Sequence, residues 1–269
     1  MKLRILAFLL IATAATALAH EFWIFPENFF PKVGDKLAWK IQVGEDYMGE
    51  RWGGGSRRVE RLRLLTSKGE QNLTATIQQS DAQVEPPAFK IEQAGTQMLV
   101  LETNNSFIEL EAEKFEGYLK EDGLQLAIDY RQKNGEQQKI GREFYRRCAK
   151  TIMQVGTATN DLPTQPTGVD LDIIPLQNPY AMKPNSPLSC RIIYNQKPLA
   201  NAMVRCWRRV NGKTEVEFQQ TDAKGEATFA LTKKGKASYM LSSVHMVRLT
   251  GDDKADWQSL WGSVTFGVR

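Results

Sequence analysis

The sequence predicts a mainly β protein: two immunoglobulin-like β-sandwich modules with a short helical insertion between them. Three observations carry that expectation. Short runs such as Lys36 to Val43, where Leu37, Trp39, Ile41 and Val43 alternate with polar residues, have the period of a half-buried strand. The period lengthens between Glu109 and Val155, where Glu, Lys, Gln, Arg, Leu and Ala dominate. A stretch rich in Thr, Asn, Gln and Pro from 156 to 168 then precedes a second region of alternation.

The first 19 residues read as a secretion signal. Met1-Lys2-Leu3-Arg4 is a short basic start, Ile5 to Ala15 an apolar core, and Ala17-Leu18-Ala19 the small-x-small pattern that signal peptidase cuts after. An uncleaved anchor or a cut a few residues away is the competing reading. The apolar run is well short of the roughly 20 residues a membrane span needs, and no later segment approaches that length. The expected mature chain is therefore exported to the periplasm and has no membrane span. Its removal takes Lys2 and Arg4 and no acid, so 33 of the 35 basic residues remain against 31 acidic ones. That near-balance gives no reason to expect nucleic acid as a partner.

The N-terminal module is expected over 20–155. Glu21 to Phe25 is a short aromatic strand stopped by Pro26, and strands follow at Lys36 to Val43, Val59 to Leu65, Leu73 to Ile77, Phe89 to Ile91 and Thr96 to Glu102. Gly53-Gly54-Gly55-Ser56-Arg57-Arg58 lacks the Gly-Lys-Ser/Thr ending of a phosphate loop and is expected to be a flexible surface loop. From 109 to 155, Phe115, Tyr118 and Leu119, then Leu124, Ala127 and Ile128, then Phe144, Cys148 and Ile152 fall at helical spacing, with Gly123, Gly135 and Gly141 as punctuation. Two or three short helices are expected there.

After an interdomain linker at 156–168, the C-terminal module spans 169–269. Seven strands are expected, at 169–176, 188–194, 202–210, 215–220, 227–231, 237–249 and 259–268. Cys190 and Cys206 flank the Asn195 to Asn201 turn symmetrically. They would face each other in a hairpin, either as a disulfide or as two small buried apolar residues. The third cysteine, Cys148, sits among apolar positions and is expected to be packed.

Cleavage after Ala19 would leave His20 as the first residue, with a free α-amino group beside its imidazole. Amine and ring Nδ1 can chelate one metal ion, and a second imidazole would complete a T of three nitrogens, a histidine brace. The chain holds only one other histidine, His245. His20 and His245 are thus the candidate metal ligands. Three neutral nitrogens in a flat T suit copper, with nickel, cobalt or zinc as alternatives. A weaker fourth ligand is open among Glu21, Asp256 and Met246, although Met246 should point away from His245 along a strand.

His20-Glu21-Phe22-Trp23, Glu111-Ala112-Glu113-Lys114-Phe115 with Tyr118-Leu119, Arg142 to Lys150, Val244-His245-Met246-Val247 and Asp256-Trp257-Gln258-Ser259-Leu260-Trp261 together resemble the domain-of-unknown-function 4198 family of bacterial exported proteins. The resemblance spans nearly all of the expected mature chain and implies β-sandwich modules. It also implies that His20 and His245 match the family's two recurring histidines, and Trp257 and Trp261 its aromatic C-terminal signature. Members are often labelled nickel or cobalt uptake components, which makes an uptake accessory one functional expectation.

The leading expectation is a periplasmic protein that captures copper, or delivers it to an envelope metal transporter or metalloprotein. A copper oxidase or monooxygenase would need an exposed brace, and Trp23, Trp257 and Trp261 could give it a flat aromatic surface. A scaffold with incidental histidines is the third class. No paired acids of clear spacing, nucleophile motif or phosphate loop stands in the sequence, which favours binding over catalysis.

Overall fold

A computed structural model describes residues 20–77, 84–183, 185–231 and 235–269. In chain order, the first half holds β1 (Glu21–Pro26), β2 (Lys36–Leu37), β3 (Trp39–Glu45), β4 (Met48–Arg51), β5 (Val59–Thr66), β6 (Gly69–Asn72), β7 (Phe89–Lys90), β8 (Gly95–Thr103), β9 (Ser106–Leu110), α1 (Ala112–Glu121), α2 (Gln125–Lys133) and β10 (Gly141–Val155). The second half holds β11 (Leu171–Pro175), β12 (Pro187–Tyr194), β13 (Lys197–Pro198), β14 (Met203–Val210), β15 (Lys213–Gln220), β16 (Glu226–Ala230), β17 (Ala237–Arg248) and β18 (Trp257–Val268). The protein is mainly β, and each of the seven strands expected beyond residue 168 has a counterpart.

The organising element is a nine-stranded sheet in the order β15-β14-β17-β18-β10-β8-β5-β6, with β9 paired to the first part of β10. Its neighbours are antiparallel except β10 and β18, which run parallel from Glu143↔Trp257 to Thr151↔Thr265. Strands from both halves of the chain therefore belong to one sheet. Residues 156–168 pass from β10 to β11 and are pinned to the sheet, since the Asn160 amide donates to the Thr96 carbonyl at 3.0 Å and Pro163 is buried.

Side chains alternate between the two faces of a strand, and the partners along β17 identify each face. Met240 packs with Trp23, Tyr47 and Trp207, and Ser242 donates to Glu21 at 3.1 Å, so even positions face the layer formed by β1, β3 and β4. Val244 and Met246 continue that face beneath α1 and α2. Tyr239 and Leu241 join Leu188, Cys190 and Phe229, so odd positions face the layer formed by β11, β12, β13 and β16. The unbroken register of β17 on β18, from Ala237↔Val268 to Arg248↔Trp257, keeps this parity along the whole strand.

One expectation is corrected here. Helices occupy only 112–121 and 125–133 of the segment read as helical, and 141–155 is a fifteen-residue strand. Phe144, Cys148 and Ile152 are four residues apart, but four is also a multiple of the strand period, so the three share a strand face equally well. Pairing with β8 on one side and β18 on the other decides the matter. Gly141, read as helix punctuation, is instead the first residue of this strand, and a Cβ there would lie 2.2 Å from the Phe115 ring.

The cysteine hairpin also has a different form. Cys190 on β12 lies opposite Pro175 and Ala227, whereas Cys206 on β14 lies opposite Glu217 and Leu241. The two belong to different sheets and share the core between them, and all three cysteines are buried and free.

Candidate metal centre

His20 stands at the start of β1, and the antiparallel register that sets Glu21 against Gly44 brings Glu45 opposite it. The imidazole Nε2 lies 3.5 Å from Glu45 Oε1, with the His20 side chain 34% exposed. The strand behind it is firmly held. Ser263 Oγ on β18 donates to the Phe22 carbonyl at 2.6 Å, Thr265 Oγ1 donates to the Ile24 carbonyl at 2.8 Å, and the Trp23 indole donates to Gln42 at 3.0 Å. β1 thus lies across the junction of the two halves, on the even face of β17.

His245 is an odd residue of β17 and points from the other face. Its ring sits 4.4 Å from that of Tyr194 on β12, centroid to centroid. Burial pushes its pKa down to about 4, so the imidazole is neutral across the physiological range. It borders a cavity of about 330 Å³, lined also by Leu124, Ala202, Met203 and Met246, where β17 runs past the end of β14. His20 meets Glu45 while His245 meets Tyr194, on the strand face opposite the one that Ser242 turns to Glu21, and among the described residues no contact joins the two histidines.

The three fourth-ligand candidates are also accounted for. Glu21 is buried against the sheet with Arg205 at 3.7 Å, and burial raises its pKa to about 7. Asp256 is engaged by Arg142 at 2.8 Å and Arg248 at 2.9 Å, and the hydrogen bond from Arg142 holds it below the usual carboxylate range. Met246 lies in the cluster under the helices, on the face opposite His245, as strand alternation requires. Among the described residues, no group of three or more His, Cys, Asp or Glu side chains is placed to hold a metal ion.

The tryptophans are core residues. Trp23 is fully buried beside Tyr47, Trp261 stacks on Tyr118 at 5.8 Å, and Trp257 meets the Tyr130 ring edge-on at 5.5 Å. They offer no flat aromatic platform around His20. Glu45 was not foreseen as the neighbour of His20, because the long connection over residues 27–38, β2 included, leaves the register of β1 on β3 undefined in the sequence.

A family model described as a domain of unknown function (DUF4198) matches residues 17–246. The match takes in both histidines and ends before Trp257 and Trp261. No curated protein matches the sequence.

Proposed function

The chain belongs to the DUF4198 family, and from its own residues we propose that it is an exported metal-binding protein whose centre is His20. The observation that carries this reading is the carboxylate of Glu45 beside His20 Nε2. A carboxylate there favours the tautomer with its proton on Nε2, which leaves the Nδ1 lone pair free. Cleavage after Ala19 would place the α-amine next to that lone pair. Amine and Nδ1 then form a two-nitrogen chelate, for which copper is the best-matched divalent ion and nickel, cobalt or zinc the alternatives.

His245 is not part of this centre. A chelate built on one residue leaves the remaining metal positions to water or to a partner's side chains. That openness suits capture in the periplasm and delivery to an envelope transporter or metalloprotein better than retention of a permanent cofactor. No helix among the described residues is long and apolar enough to cross a membrane. The finer expectation, two immunoglobulin-like sandwiches, enters this proposal in altered form, with each half supplying a layer to a common sheet.

Two comparisons test the reading. Protein beginning at His20 is expected to bind one copper ion at least about tenfold more tightly than protein carrying one extra glycine, with a different copper spin-resonance spectrum. The extension turns the amine, whose ordinary pKa is about 7.7, into an amide that does not chelate in the same way. His245→Ala is expected to leave copper affinity within about twofold, since ligation is lost only where a ligand is lost. Equal affinity with and without the extra glycine would remove the amine from the site, and a tenfold loss in His245→Ala would restore the three-nitrogen brace.

A further inference from the structure

A cavity of about 690 Å³ lies between the Gly53–Gly55 loop, the turn at 104–106 and the first half of β10. Three arginines line it, Arg57, Arg58 and Arg147, and among the described residues no carboxylate does. The guanidinium of Arg147 lies over the rings of Phe22, at 5.2 Å, and Tyr145, at 4.8 Å. Its Nε is sealed from solvent and has no hydrogen-bond partner. Burial pulls its pKa below the usual arginine value, with the nearby charge of Arg58 in the same direction and Tyr145, which hydrogen-bonds the guanidinium, and Glu143 opposing.

The walls are fixed by the fold. The Asn104 amide side chain donates to the Arg57 carbonyl at 3.1 Å, its backbone N–H donates to the Arg58 carbonyl at 2.9 Å, and Arg58 donates to Ser106 Oγ. A Cβ on Gly54 would lie 2.1 Å from the Trp52 ring, so glycine lets the loop press onto that ring. Trp52 in turn meets Phe22 edge-on at 5.2 Å. The expected flexible loop is thus a packed rim over an aromatic floor.

We propose that this cavity is a binding site for a small organic oxyanion, a carboxylate or a phosphate ester. A buried guanidinium donor without a partner is costly to leave unmade, and a second arginine of like charge beside it adds to the cost. An oxyanion relieves both at once. The planar fork of arginine is matched to the two oxygens of a carboxylate or phosphate. A cavity of this volume is in the range of small-molecule sites, and Val43, Trp52 and Tyr145 give the carbon part of the ligand an apolar surface. The site is independent of the metal centre, although Phe22, two residues from His20, packs against its Trp52 and Arg147.

The test is calorimetric titration of the chain beginning at His20 with citrate, glucose 6-phosphate and, as the uncharged control, glucose, at constant ionic strength. Saturable binding of citrate or of glucose 6-phosphate is expected, none of glucose, and the tighter of the two anions identifies the ligand class. Arg147→Met is expected to weaken that binding at least about tenfold, the loss typical of a hydrogen bond to a charged group. Arg147→Lys, which keeps the charge and loses the fork, is expected to recover only part of it. Should Arg147→Met fail to fold, Arg58→Gln gives the same reading with a smaller loss. Absence of saturable binding by both anions, or equal affinity in the variants that fold, would overturn the site.

Discussion

Asp172→Asn is expected to destabilise the protein by about 3–5 kcal/mol, the usual cost of stranding one partner of a buried ion pair. Lys150 Nζ, in the middle of β10, donates to Asp172 and to the Ile173 carbonyl, the latter at 2.7 Å. The Lys150 and Asp172 side chains are only 2% and 3% exposed. Asp172 Oδ2 also accepts from the Thr167 N–H at 2.6 Å and its hydroxyl at 3.0 Å. The pair therefore ties β10 to β11 and to the segment leading into it. With asparagine the shape is kept, but an ammonium remains in the core with no counter-charge. Lys150→Met is expected to cost a similar amount. The double variant should cost clearly less than the sum, because its two stranded charges are gone together. Urea unfolding midpoints measure all three, and a loss below about 1 kcal/mol in both single variants would mean that water reaches the pair.

The second large effect is a dependence of stability on pH set by buried carboxyls. Glu143 is 3% exposed on β10 and accepts from Tyr118 Oη at 3.3 Å and from Ser259 Oγ, while its Oε2 has no partner. Burial raises its pKa to about 7 despite those two bonds, with Asp122 adding to the rise and Arg147 opposing it. Burial likewise raises Glu21 to about 7 and Asp122 to about 6, against the pull of the one guanidinium, Arg205, that they share. For each group the folded pKa exceeds the unfolded one, so the folded chain binds the extra proton. Their stabilisation is complete below about pH 4 and is lost as pH rises through 6 and 7. His245 acts the other way, since its folded pKa of about 4 makes stability fall as pH drops from about 6.5 toward 4.

A difference measurement separates these contributions. Glu143→Gln keeps the shape and cannot ionise, so relative to the parent it should be more stable at pH 8 by up to about 3 kcal/mol, at 1.36 kcal/mol per unit of pKa shift. That advantage should shrink steadily toward pH 5 and vanish near pH 4, where the unfolded chain takes up the same proton. Urea unfolding at half-unit steps from pH 5 to pH 8 reads the effect. A difference that stays constant across the range would show that Glu143 carries the same charge in the folded and unfolded chains.

Features that depend on near neighbours along the chain were legible in the sequence. The alternation of Leu37, Trp39, Ile41 and Val43 placed β3, and alternation likewise located β12 and β16, which bury every second residue. Phe115, Tyr118 and Leu119 marked the buried stripe of α1. Alternation also separated Met246 from His245 before any partner was known.

Other features depend on partners far apart in the chain and emerge only on folding. The spacing of Phe144, Cys148 and Ile152 fits a helix and a strand alike, and only β8 and β18, flanking β10, make it a strand. The unpartnered Nε of Arg147 has meaning only once Phe22 and Tyr145 enclose it. The separation of His20 from His245 has the same origin. Strand periodicity assigns His245 to one of two faces, but it cannot say which face β1 covers. That was set by the bonds from Ser263 and Thr265 to the carbonyls of Phe22 and Ile24, across more than two hundred residues of chain.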